Sequence, residues 1–188
     1  NNSMPIPKVA LVTGATRGAG KGIALGLAAK GMTVYVTGRS GRTATATLKG
    51  EILSGTLDET VAAINAAGGI GIGITCDHGN DEQTRQVVEQ IEQEQGRLDI
   101  LVNNAAYIDD SLIDPGGFWE KPLDLVRILD IGLRSAYVAS YYAAPLMIKN
   151  QYGLITFTSS FGSACYMHGP AYGAQKVGYD KLAADMSI

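Results

Sequence analysis

Residues 9–20 read Val-Ala-Leu-Val-Thr-Gly-Ala-Thr-Arg-Gly-Ala-Gly, and no other stretch narrows the possible folds as much. A short β-favouring run, Val9–Val12, meets glycine at position 14; glycines 18 and 20 follow, and a helical pattern begins in which Ala19, Ile23, Leu27 and Ala28 share a face. A strand, a tight turn and a helix are therefore predicted in succession. Glycine admits a bound group close to the backbone, and a helix start offers unpaired N–H groups with partial positive charge, so the junction suits a pyrophosphate. The spacing Gly-x-x-x-Gly-x-Gly departs from the usual dinucleotide pattern Gly-x-Gly-x-x-Gly, and three glycines also serve as a plain strand–helix turn. The decision falls to the rest of the chain.

The alternation repeats. Gly31 caps the first helix, and residues 33–37 (Thr-Val-Tyr-Val-Thr) form a β-branched second strand. Residues 41–55 lack a clean period and read as a long, mobile connection. A helix from about Thr56, with Leu57, Val61 and Ile64 on one face, closes at Gly68-Gly69 before a third strand at 71–76. Asp81–Gln95 is helical with Val87, Val88 and Ile91 inward, and 98–102 make a continuously apolar fourth strand. After a loop, 123–149 read as one long helix with Val126, Leu129, Leu133 and Val138 in its stripe, kinked or ended by Pro145. Residues 153–158 are the fifth strand, and Gly169-Pro170 opens a last helix. Strands alternating with helices predict an α/β fold with a parallel sheet wound on both faces. At 188 residues this is one domain, with residues 1–4 outside it as an added remnant or loose terminus.

Ligands of such sheets sit beyond the carboxyl ends of the strands, where the glycine turn, Arg39, Asp77 and Asn103 all fall. The second strand's tip, Gly38-Arg39-Ser40, carries no acid for a ribose 2′-hydroxyl; Arg39 and Arg17 suit a 2′-phosphate, which favours NADP over NAD. Asp77 fits either a cap acting with Asp81 or a hydrogen bond to an adenine amino group, and His78 alone carries little weight. A formal charge of −3 without basic clusters gives no reason to expect nucleic acid or an anionic membrane as partner. Two cysteines, Cys76 and Cys165, make no disulfide framework, no zinc-type spacing is present, and a reduced, cytoplasmic location without a metal is the simplest reading. Cys165 is expected to be packed rather than reactive, and Tyr166, Met167 and His168 to be exposed loop residues.

Tyr172 and Lys176 lie four apart on the last helix, hence on one face, with Pro170 placing Tyr172 in the first turn. There the helix dipole and the ammonium favour a phenolate, which suits a tyrosine to exchange a proton with an alcohol oxygen. A hydroxyl from Ser159 or Ser160, at the tip of the fifth strand, could hold that oxygen.

Three motifs taken in order, Thr13-Gly14-Ala15-Thr16-Arg17-Gly18-Ala19-Gly20, Asn103-Asn104-Ala105-Ala106 and Tyr172-Gly173-Ala174-Gln175-Lys176, resemble those of the short-chain dehydrogenase/reductase family. Residues 99–105, Gly132-Leu133-Arg134 and 180–185 further resemble the branch of that family holding the family member 1 type dehydrogenase. The resemblance covers about residues 8–188 and implies a Rossmann-type fold, an NAD(P)-dependent carbonyl or alcohol oxidoreductase, and a dimer or tetramer packed through the two long helices. It implies a catalytic set of Ser160, Tyr172, Lys176 and Asp130, the last where the family has Asn. Ser159 has the family's usual distance from the tyrosine, but Ser160 is second of the Ser-Ser pair and is our assignment. The implied cofactor contacts are Gly14, Thr16, Arg17, Gly18, Ala19, Gly20, Arg39, Ser40, Asp77, His78, Asn103, Ala105, Tyr172 and Lys176. Asp130 could hold a relay water or pair with Lys176. The family continues with two further strands and a Pro-Gly segment, so the sheet is expected to be truncated after its fifth strand, with that strand an open edge. An NADP-binding protein or fragment without turnover is the alternative function, motivated by Asp130 in place of Asn and by the family's further C-terminal part, which this sequence lacks.

Overall fold

The computed structural model describes residues 8–41, 43, 47–48, 51–52 and 54–188. The expectation for residues 1–4, and that for much of 41–55, lies outside them. Five strands, β1 (Val9–Val12), β2 (Thr33–Gly38), β5 (Ile70–Thr75), β6 (Ile100–Asn103) and β7 (Leu154–Phe157), form one sheet in the order β5-β2-β1-β6-β7. Every pairing in it is parallel, so all five carboxyl ends meet at one rim. Within the 41–55 connection, where no period is visible, β3 (Thr47–Leu48) pairs antiparallel with β4 (Glu51–Ile52).

Alternation along β1 divides the core in two. Val9 and Leu11 pack with Val87 and Ile91 of α3 (Asp81–Gln95) and with Ala139, Ala143 and Leu146 of α4 (Ser135–Lys149). Ala10 and Val12 face the other way, onto Ala24 and Ala28 of α1 (Gly18–Ala28) and Leu57 and Ile64 of α2 (Leu57–Ala66). This is a Rossmann-type, doubly wound α/β fold. The sheet's start is tied down by Asp99, fully buried, whose carboxylate accepts the amides of Lys8 (2.8 Å) and Val9 (2.9 Å) and pairs with Arg97. Burial pushes the Asp99 carboxyl up, but Arg97 and the two amides outweigh it and hold it below its ordinary value.

Several expectations are corrected. Of the face read for α1, Ala28 is buried and Ile23 and Leu27 pack half-buried against the core, but Ala19 is exposed, and the fully buried stripe is Gly20, Ala24 and Ala28, small residues that let the helix lie close to the sheet. Residues 123–149 are not one helix. A 3₁₀ segment, Leu123–Leu129, leads into Asp130–Arg134, where Ile131 (φ −98°, ψ 84°) and Gly132 (φ 155°) leave helical geometry before α4 starts. Gly132 is buried against Gln175 of α5 (Pro170–Asp185), where an added Cβ would come within 3.1 Å of that side chain, and Val126 is exposed. Pro145 neither ends α4 nor sits at its end; the helix runs through it to Lys149. Asp77 does not cap α3. Asn80 does, accepting from the amides of Glu82 and Gln83, while the Asp77 carboxylate accepts from Gly79. Cys165 is exposed, its thiol directed at the Phe161 carbonyl. Among the described residues, no helix is long and apolar enough to cross a membrane.

Candidate active site

The site lies on the carboxyl rim, and its two halves come from opposite ends of the chain. The first is the turn between β1 and α1. Gly14 has φ +64°, and a Cβ there would stand 2.7 Å from the Ala105 Cα; one on Gly20 would stand 2.4 Å from the Asn104 Nδ2. Only glycine fits either place. The Asn104 amide donates to the carbonyls of Thr13 (3.1 Å) and Gly14 (2.8 Å), and the Thr13 hydroxyl accepts the amides of Asn104 and Ala105. From α2, the Thr60 hydroxyl donates to the Ala15 carbonyl. The turn is thus clasped from below on both sides, while Gly18, at φ +58°, and Ala19 are exposed above. Arg17 is the N-cap residue of α1 yet makes no capping side-chain bond, and the first turn holds no acid.

Thr16 and Ser40 are buried, Arg39 is exposed, and Arg17 is half-buried with its Nε donating to the Ser54 carbonyl at 3.1 Å. Asp77 is exposed at the tip of β5. His78 is buried between threonine hydroxyls, Thr37 at 2.7 Å and Thr84 at 3.1 Å. The Asn103 side chain turns away from the turn to donate to Ser140 on α4, and its carbonyl accepts from Thr158.

The second half is the tip of β7 against α5. Ser160 Oγ lies 3.0 Å from the Tyr172 hydroxyl and accepts the Gly162 amide. Tyr172's ring lies over Gly162, where a Cβ would stand 2.7 Å from its Cε1. Ser159 points elsewhere, its hydroxyl 3.4 Å from the Lys176 carbonyl and beside Asp180, whose carboxyl it and Ser163 hold below the ordinary value. Successive residues of an extended segment face opposite ways, so one serine meets the phenol. Lys176 is buried; its Nζ donates to the Thr158 carbonyl at 2.9 Å and stands 5.3 Å from the centre of the Tyr172 ring. Burial pushes its ammonium below the ordinary value. His168, at φ +58°, sets its ring edge-on to Tyr172 with centroids 5.0 Å apart. Asp130 is exposed, and among the described residues no ion pair joins it to Lys176.

Sequence reasoning missed Asn104, Thr158 and Tyr179. Asn104 was legible as the oppositely facing neighbour of Asn103; Thr158 acts through a backbone carbonyl, which no side-chain pattern reveals. Tyr179, buried against Phe157, has the Lys176 Nζ 5.2 Å from its ring centre, and burial pushes its phenol well up.

Comparisons with known proteins give the family and the fold. The sequence pattern of the short chain dehydrogenase family matches residues 8–187. The chain is 40% identical over 182 residues to "Dehydrogenase/reductase SDR family member 1" of Homo sapiens, covering 95% of this chain and 54% of that protein. It is 33% identical over 172 residues to a 3-oxoacyl-[acyl-carrier-protein] reductase of Synechocystis sp., covering 91% of this chain and 63% of that one. The structure of a metagenomic short-chain oxidoreductase in complex with NADP superposes with a TM-score of 0.77 at 29% identity, over 95% of this chain and 73% of that chain. The chain therefore spans about half the length of the human relative.

Proposed function

This chain belongs to the short chain dehydrogenase family of oxidoreductases, and from that premise we propose that it moves hydride between NADP(H) and a carbonyl or alcohol, with Tyr172 as proton donor and acceptor. The observation that carries the proposal is the 3.0 Å contact between Ser160 Oγ and the Tyr172 hydroxyl, held beside a buried lysine on the rim that also carries the glycine turn.

The residues fit a dinucleotide. The turn excludes any Cβ at positions 14 and 20, and the first turn of α1 has neither a side-chain cap nor an acid, so its amides suit a pyrophosphate. Gly14, Thr16, Gly18, Ala19 and Gly20 would line that cradle, Arg17 and Arg39 would take a 2′-phosphate, and Asp77, Ala105 and Lys176 would hold the rest. The NADP complex of a structural neighbour supports the choice, as does a β2 tip ending in Arg39 instead of an acid. When bound, NADP(H) supplies or accepts the hydride.

The protein's own groups do the remainder. During reduction the Tyr172 hydroxyl gives its proton to the carbonyl oxygen as charge develops there, and Ser160 donates a hydrogen bond to the same oxygen. In oxidation the phenolate takes the alcohol's proton. Lys176, aimed by Thr158, supplies positive charge near the phenol and favours the phenolate. The exposed tyrosines of α4, Tyr137 and Tyr141, line an apolar groove with Leu133 and Leu182, which supports pairing of two copies through α4 and α5.

Tyr172→Phe is the test: turnover on a working carbonyl substrate, followed at 340 nm, falls by about 10³-fold or more while NADPH binding persists. Full turnover by the variant would remove the reading. NADPH binding with no turnover on any carbonyl, in the full-length protein, would leave dinucleotide capture alone.

A further inference from the structure

His78 does not reach the rim, yet it is built into the turn that does. Its ring is nine-tenths or more buried between β2 and α3. On one side Nε2 lies 2.7 Å from the Thr37 hydroxyl; on the other, Nδ1 lies 3.1 Å from the Thr84 hydroxyl. Thr37 in turn holds the glycine turn twice: its carbonyl accepts the Ala15 amide at 2.9 Å, and its hydroxyl accepts the Gly14 amide at 3.4 Å. At the far end the Thr84 hydroxyl reaches the Asn80 carbonyl at 3.5 Å, in the opening turn of α3.

One proton arrangement pairs every hydrogen along this line. Gly14 N–H donates to Thr37 Oγ1, the Thr37 hydroxyl to Nε2, Nδ1–H to Thr84 Oγ1, and the Thr84 hydroxyl to Asn80. It requires a neutral imidazole with its hydrogen on Nδ1. Moving that hydrogen to Nε2 leaves the Thr37 hydroxyl without an acceptor among these groups, which is costly in a buried site.

We propose that His78 is a positioning residue for the dinucleotide, orienting the Thr37 hydroxyl so that Gly14 is held at its left-handed angle and the cradle is set before the ligand arrives. His78 touches no ligand in this scheme; it acts through Thr37, and Thr84 fixes the ring's rotation. Gly14 needs the help because φ +64° is one of several angles open to glycine, and nothing in its own side chain restricts it. Preorganising a loop raises affinity by removing the cost of ordering it on binding. Only the affinity readout rests on the cofactor reading above.

The test uses Thr84→Val and Thr84→Ser, which act at the end of the line remote from the cradle, with Thr37→Val and His78→Gln as nearer breaks. NADPH dissociation constants are read by fluorescence, Tm by thermal melt, and exchange of the Gly14 amide by NMR without ligand. Thr84→Val is expected to weaken NADPH by about 5-fold and to speed Gly14 exchange by about 10-fold, with Thr84→Ser restoring both. Exchange at Leu101, in the centre of β6, should not change. A lowered Tm with Gly14 exchange and NADPH affinity unchanged in all three breaking variants would make His78 a packing residue only and overturn the proposal. If the wild-type protein bound no dinucleotide, the function proposed above would fall instead, and Gly14 exchange would still decide the role of His78.

Discussion

Two helices start at the same rim and are finished differently. α3 opens with Asn80 accepting two of its free amides, with Asp81 and Glu82 in its first turn and Asp81 held by Arg134. α1 opens with three small residues, no side-chain cap and no acid. Both starts present the same unpaired amides and the same partial charge. At α3 the chain fills that end with its own oxygens; at α1, where the reading proposed above seats a dinucleotide, the end is bare and the loop beneath is braced. α2, capped by Thr56, belongs with α3.

That contrast can be attacked at either end. The largest expected effect is Gly14→Ala. A Cβ 2.7 Å from Ala105 Cα at φ +64° displaces the turn, and NADPH affinity falls by about 100-fold in a fluorescence titration while the helical circular dichroism persists. Acid attacks the line joining the two starts. Burial pushes His78 down to about 4, with Asp77 acting weakly the other way. The unfolded chain therefore binds its proton first. Stability from this group is complete above about pH 6.5 and is lost down to about pH 4, by roughly 3 kcal/mol in denaturant melts, and His78→Gln flattens that slope. Next, Arg39→Ala weakens NADPH by about 10-fold and NADH by less than about 2-fold, measured side by side; equal losses would make Arg39 a bystander. The smallest is Asn80→Ala, which costs about 1 kcal/mol of stability through the lost cap and, since the carbonyl remains, reduces NADPH affinity less than Arg39→Ala does.

The two starts also differ in how far the sequence revealed them. α3 was read to the residue because its apolar stripe and polar face are sharply separated, and Gly96 at φ +68° marks its end. For α1 the turn was legible and the buried face only in part: Ala28, Ile23 and Leu27 were read, whereas Gly20 and Ala24 carry no hydrophobic signal, and proximity to the sheet selects them for size. Residues 123–149 failed for a related reason. The apolar spacing continues across Ile131-Gly132 although the backbone does not, because Gly132 is turned by its fit against Gln175, a contact 43 positions away in the sequence. At the site, Tyr172 and Lys176 were legible as one face of one helix. Ser160 was chosen over Ser159 on sequence alone, as second of the pair, and the fold sets its hydroxyl against the phenol; His78 stayed mute because its meaning lies in two threonines from other elements.

The Tyr172 ring occupies the space above Gly162 that any side chain there would claim. A single methyl at 162 would therefore act as a wedge under the phenol, swinging it off Ser160 while leaving the far half of the rim untouched. On the function proposed above, Gly162→Ala would be a decoy: a protein that still captures the dinucleotide and keeps it idle.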